Sequence, residues 1–250
     1  MIYWHDHTWE EIKEKLSKLK AVILPIGSCE QHSLHLPLGT DSFGAVILSE
    51  KIARELEDKV LVLPPIWYGF SPHHMNFAGT ITLSSQTLIN LIVDIAKSLR
   101  RHGVKKLIII NGHGGNIPII TIALRIIREE VRLQAVLINP WELISDIINE
   151  TLETKIWGHA CEFETSLAFV QMPGKVRKDR IKKPQLKQPK VSALALWEKN
   201  KVVTAWNTDD ITDTGSIGDP TKATVEKGKI MFDAMVERTL KFVKEYIENE

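Results

Sequence analysis

The stretch Leu107-Ile108-Ile109-Ile110-Asn111-Gly112-His113-Gly114-Gly115-Asn116 decides how the chain is read. Its first four side chains leave no polar face, as in a strand covered on both sides. A glycine-rich turn then leads into an apolar helical segment at 117–130, and Ala135-Val136-Leu137-Ile138 is the next strand. This strand–helix–strand spacing suits a right-handed crossover between parallel strands. The alternation continues outward. Residues 21–26 and 60–63 are further buried-type strands, and 79–83 reads as a short extended piece. A helix opening at Thr40 or Asp41 carries Ala45, Leu48, Ile52 and Leu56 on one face. Another, capped by Ser84 or Ser85, carries Leu88, Ile92, Ile95 and Leu99, and the last carries Val225, Met231, Met235 and Val243. Thr8 and Glu11 form a capping-box signature ahead of Ile12 and Leu16. The expected fold is α/β, a mostly parallel sheet with helices on both faces. No repeat or linker divides the chain, so 1–250 reads as one domain.

Composition excludes several function classes. At 250 residues, with 44% hydrophobic and 25% charged, the chain can bury a core and keep a polar surface. Thirty-two basic against 31 acidic residues give a net charge of +1, no field for nucleic acid or a membrane. The basic run 175–190, with Pro184 and Pro189, lacks interleaved aromatics and reads as a solvated loop. Cys29 and Cys161 are too few for a disulfide framework and read as buried reduced thiols. No apolar run approaches the ~20 residues of a membrane span, and the N-terminus shows no signal-peptide pattern. The expected location is cytoplasmic.

Three segments carry chemistry. In Gly27-Ser28-Cys29-Glu30-Gln31-His32, just after a strand, Glu30 and His32 are two apart and share one side of extended backbone. Asp41 returns nine residues after His32 at a helix start, which favours its charge. Two carboxylates and an imidazole suit Zn, Mn or Fe, although Asp41 as a helix cap and His32 as a loop residue would explain both without a metal. In Asn111-Gly112-His113-Gly114-Gly115-Asn116, the spacing matches neither a P-loop nor a dinucleotide fingerprint, and a plain turn gives no reason for His113. In His159-Ala160-Cys161-Glu162-Phe163-Glu164, His159 and Glu162 would share a face if the helix began at His159. Loops that leave parallel strands converge. Glu30, His32, Asp41 and His113, with Glu162 or Glu164, are enough to ligate two metal ions bridged by Asp41.

These residues resemble the creatininase (creatinine amidohydrolase) family. The resemblance runs from residues 24–32 and 35–41 through 69–74, 79–83, 111–116 and 159–166 to Gly218-Asp219-Pro220. It implies a three-layer α/β/α fold and a two-metal amidohydrolase. Such an enzyme cleaves a C–N bond in a small cyclic or linear non-peptide amide with metal-activated water, often as a hexamer. Carried over by position, Glu30 and His113 resemble ligands of one metal (Zn, Mn or Fe), His32 a ligand of the other and Asp41 the bridge. His159 matches the family's catalytic histidine. Creatininase proper has a metal-binding glutamate where this chain has Gly115; Glu164 is the first choice to replace it and Glu162 the second. Trp141 and Trp157 lie in the region of the family's substrate-covering tryptophans but do not match them by position.

Related readings are an N-formyl hydrolase acting on a pyrimidine nucleotide in flavin or deazaflavin synthesis, and a peptidase maturing a peptide-derived cofactor. A different class is a non-catalytic metal- or ligand-binding protein, against which the joint presence of Glu30, His32, Asp41, His113 and His159 argues. The partner expected is a small-molecule amide, with homo-oligomerisation. His73 and His74 read as satisfied loop histidines.

Overall fold

The computed structural model describes residues 1–187 and 204–249. Its central sheet has strands β1 (Ala21–Ile26), β2 (Val60–Val62), β3 (Lys106–Asn111) and β4 (Gln134–Ile138), in the order β2-β1-β3-β4. Every pairing is parallel, with Ile23 opposite Ile108 and Ile108 opposite Val136. All residues of β1 and β3 are buried. Because side chains alternate across a strand, Ile23, Ile108 and Ile110 face one core while Val22, Leu24, Leu107 and Ile109 face another. Two apolar faces require two helical layers, and the fold is a three-layer α/β/α sandwich.

Among the described residues the α-helices, in chain order, are α1 (Trp9–Lys15), α2 (Thr40–Leu56), α3 (Ser85–Arg101), α4 (Ile117–Ile126), α5 (Pro140–Leu143), α6 (Ser145–Thr151), α7 (Glu162–Gln171), α8 (Thr208–Ile211) and α9 (Val225–Glu248). Leu48 and Ile52 of α2, Phe163 and Leu167 of α7, and Met231 and Met235 of α9 pack on the first face. Leu88 and Ile92 of α3 and Ile120 and Ala123 of α4 cover the second. Lys106 donates from Nζ to the Tyr246 carbonyl at 2.8 Å, setting a cation against the carbonyl end of α9. No helix among the described residues is long and apolar enough to cross a membrane.

Most expected elements are present, with instructive differences. The Thr8–Glu11 capping box is formed. Beyond α4 the helical path continues as one π turn, Ile127–Val131, ended by Arg132 in the left-handed region. Strand β2 stops at Val62, just before Leu63 and two prolines. The 79–83 piece forms only an isolated bridge, Cys29 to Ile81. The largest correction concerns His159. It does not open a helix with Glu162 on its face but ends a short strand, β5 (Trp157–His159), antiparallel to β6 (Ile217–Gly218). Ala160, at φ 46°, then turns the chain so that α7 starts at Glu162. The basic run is described as far as residue 187, mostly exposed, and 188–190 with Pro189 lie outside the described residues. Both cysteines are free; Cys161 is buried, whereas Cys29 is only half-buried.

Candidate metal centre

The parallel strands deliver their loops to one edge, and the candidate side chains meet there. The loop after β1 brings Glu30, whose N–H donates to the Leu38 carbonyl at 2.9 Å, and His32. The first turn of α2 supplies Asp41. His113 leaves β3 clamped by Asn111, whose Oδ1 accepts from the His113 N–H at 3.1 Å and whose Nδ2 donates to the His113 carbonyl at 2.8 Å. Asn116 Nδ2 ties this turn to the β1 loop by donating to the Gly27 carbonyl at 2.9 Å. The first turn of α7 adds Glu164, and the end of β5 adds His159.

Asp41 sits in the middle. Its Oδ1 is 2.9 Å from His32 Nε2 and its Oδ2 is 3.2 Å from His113 Nδ1. His113 Nδ1 is also 3.1 Å from Glu30 Oε2, and His32 Nε2 is 3.8 Å from Glu164 Oε2. Ligand atoms lie within 4.8 Å of one another in three sets: Glu30, Asp41 and His113; His32, Asp41 and Glu164; and Glu30, His32 and His159.

Burial opposes every charge here, yet mutual attraction prevails for most. Burial would raise the Glu30 carboxyl, but the His113 charge holds it far below the usual carboxylate range. Asp41 is likewise raised by burial and brought far down by the His32 charge and by hydrogen bonds from His113 and His32. Burial would lower His32, but Asp41 pushes it up to about 10. His113 lies well above its ordinary value because Glu30 outweighs burial. Glu164 is the exception: burial raises it to about 7, only partly offset by His32.

The donor set fits divalent cations. Glu30 Oε1 and Asp41 Oδ2 are buried and have no hydrogen bond of good geometry, only imidazole nitrogens of His74 at 3.3 Å and His113 at 3.2 Å, an arrangement that a divalent cation facing these oxygens would satisfy better. Carboxylate oxygens and imidazole nitrogens suit Zn, Mn and Fe.

His159 differs from the other ring groups. Burial, then the His32 charge, lower it to about 3, so the imidazole is neutral. Its Nε2 is 2.6 Å from the Gln31 carbonyl and must donate, which leaves the Nδ1 lone pair 3.6 Å from Glu30 Oε1, facing the centre. Glu162 is turned away: it accepts from Lys227 Nζ at 2.5 Å, Glu153 N at 3.1 Å and Thr154 N at 2.9 Å.

Sequence reasoning missed three participants. His74, expected to be an ordinary loop histidine, is buried with Nε2 3.3 Å from Glu30 Oε1. Gln31 Nε2 donates to His74 Nδ1 at 2.8 Å and to the Gly215 carbonyl at 3.1 Å, so Nδ1 is the acceptor and Nε2 carries the proton toward Glu30. Ser71 Oγ donates to Glu30 Oε2. His73 stacks on His113 at 5.6 Å between ring centroids. One signal was available: these residues lie in the loop after β2, at the same sheet edge. A cavity of about 1080 Å³ opens over the cluster, lined among others by Glu30, His73, His113, Lys155, His159 and Trp206.

Fold and site together define a layered α/β protein with a buried carboxylate–imidazole centre where its parallel strands end. Residues 5–243 match the creatinine amidohydrolase family, creatininase. The chain belongs to that family. It is 29% identical over 235 residues to the mycofactocin precursor peptide peptidase of Mycobacterium tuberculosis, covering 91% of this chain and 86% of that one. Identity to the 3-dehydro-scyllo-inosose hydrolase of Thermotoga maritima is 31%, over 69% of this chain and 57% of that one. For the creatinine amidohydrolase of Pseudomonas putida it is 28%, over 72% and 75%. A solved creatininase superimposes with a TM-score of 0.83 at 24% identity, covering 100% of this chain and 99% of that one. Solved creatininases of the same fold include a Mn form (TM-score 0.80, 24% identity, 99% of each chain) and a variant of Zn–Zn type (TM-score 0.81, 24% identity, 99% of each chain).

Proposed function

We propose that this protein is a metal-dependent amidohydrolase that cleaves a C–N bond in a small amide, with residues around Asp41 that would hold two divalent cations. The observation that carries this reading is the pair of abutting ligand sets on opposite oxygens of Asp41: Glu30, Asp41 and His113 for one cation; His32, Asp41 and Glu164 for the other. When bound, such cations polarise the amide carbonyl and activate water as the nucleophile. The chain's own residues do the rest. His159 offers the unprotonated Nδ1 to the attacking water, takes its proton and returns it to the departing nitrogen as the C–N bond breaks. The Gln31 carbonyl holds the imidazole in the required tautomer. His74 and Ser71 orient Glu30. Mn and Zn–Zn forms among creatininase structures agree with this donor set.

The cavity volume favours one alternative substrate. About 1080 Å³ exceeds the need of a single small ring, which supports a peptide amide as the second reading. A nucleotide formamide would call for a phosphate site; none of the basic residues 175–187 lines the cavity, and Lys155 is the one Lys or Arg among its described lining residues. The same reading takes a cytoplasmic location from the sequence expectation and a homo-oligomer, up to a hexamer, from the family resemblance.

The test is metal analysis of the purified protein followed by a screen of creatinine, formamides and short peptides with and without chelator. Bound metal and chelator-sensitive release of amine from one class are the expected results. No metal and no such activity on any amide would overturn the proposal.

A further inference from the structure

A second cavity, of about 200 Å³, adjoins the metal centre on the side of α2, α5 and α7. Its walls are apolar, with Ala45, Leu48, Trp141, Phe163, Leu167 and Met235 among them; Thr40, Asn111 and Gln171 supply polar atoms to its lining. Asp41, Gly112, Gly114, Trp157, Gly158 and Glu164 line both this cavity and the larger one. The two therefore meet at carboxylates assigned to the cations. A substrate carbonyl at that junction would have the larger chamber on one side and the smaller, apolar one on the other.

Gly44 adds a second observation. It sits inside α2, where glycine is a poor helix former, and it lines the apolar cavity. Packing does not demand a glycine there: a Cβ on Gly44 would meet only Gln171 Oε1, at 3.5 Å. The missing side chain leaves the cavity wider.

We infer that this cavity is a subsite for an apolar arm of the substrate, so that the substrate class is an amide bearing an aliphatic or aromatic group of about benzyl size. The volume supports this size, since a cavity of ~150 Å³ already holds a benzene ring. The apolar walls select against a charged arm, which would lose its hydration there. The inference rests on the hydrolase reading above and specifies the substrate that site takes.

Hydroxamates, which chelate divalent metals, test the two readings separately. Acetohydroxamate, hexanohydroxamate and 3-phenylpropanohydroxamate are titrated calorimetrically into the metal-loaded protein and into Gly44→Leu and Gly44→Ala variants. The wild type is expected to gain about fourfold in affinity per buried methylene and at least ~10-fold for the phenyl arm. Gly44→Leu should collapse the long-to-short affinity ratio toward one, with Gly44→Ala intermediate. Equal affinity across the series, or a ratio unmoved by Gly44→Leu, overturns the subsite while leaving the metal centre standing. Failure of acetohydroxamate itself to bind overturns the hydrolase reading and the subsite with it.

Discussion

The ring of His113 occupies the space that any side chain on Gly115 would need. A Cβ on Gly115 would lie 2.4 Å from His113 Nε2 and 2.4 Å from the Phe70 carbonyl oxygen. The position at which the family resemblance would place a glutamate ligand is thus closed to one here without displacing the imidazole. Gly115→Glu is expected not to add a ligand but to remove one, weakening metal binding by roughly 10- to 100-fold. Gly115→Ala should show most of the same loss. Metal content after dialysis against a graded chelator series checks both.

Glu164 and Glu162 are separable by mutation. Glu164→Gln removes a carboxylate from the set shared with His32 and Asp41, and should lower stoichiometry toward one metal per chain and abolish most hydrolysis. Glu162→Gln breaks the pair with Lys227 and should cost about 1–3 kcal/mol of stability with metal content unchanged. Metal analysis beside urea denaturation distinguishes the two.

His113→Ala is expected to lose the cation shared with Glu30, lowering metal content toward one per chain and abolishing most hydrolysis. His159→Ala should retain metal but lower kcat by about 10²- to 10⁴-fold, the usual worth of a positioned proton-transfer group. If the third ligand set, with Glu30 and His32, instead makes His159 a ligand, its alanine variant will lose metal too. Full activity in both variants would refute the assignment.

Metal uptake should release protons. With Asp41 holding His32 at about 10 against burial, and Glu30 holding His113 well above its ordinary value, both rings are protonated at pH 7 in the metal-free protein. A cation can bind them only as neutral imidazoles. Glu164, at about 7, must also be ionised to bind, so apparent affinity should rise with pH over the range below 10, with between about two and three protons released per fully loaded site at pH 7. Calorimetry in buffers of different ionisation enthalpy counts them; a count near zero contradicts the two-imidazole assignment.

His35 makes metal-free stability fall in mild acid. Burial first, and the His32 charge second, lower it to about 4. Its Nε2 lies 2.8 Å from Thr165 Oγ1, while Nδ1 has no partner. The unfolded chain takes up the proton near pH 6.5, the native state only near 4. Stability is thus complete above about 6.5 and drains away as pH falls toward 4, by up to about 3 kcal/mol. Urea midpoints between pH 7 and 4.5 should fall less in His35→Gln than in the wild type.

The layered fold was legible because its signal is local. Strands such as Ile108–Ile110 with no polar face must be covered on both sides, parallel strands end at one edge, and loops bearing Glu30, His32, Asp41 and His113 follow from that. Tertiary structure alone decided where the remaining side chains point. Glu164 rather than Glu162 turns to His32 because β5 pairs with β6, nearly sixty residues later, and Ala160 bends the chain before α7. His74 reaches Glu30 because Gln31, itself anchored on Gly215, selects its tautomer. The apolar pocket is assembled from Gly44 of α2, Trp141 of α5 and Leu167 of α7, three elements far apart in the chain. Periodicity records which residues are buried; it carries no record of the distant partners that orient them.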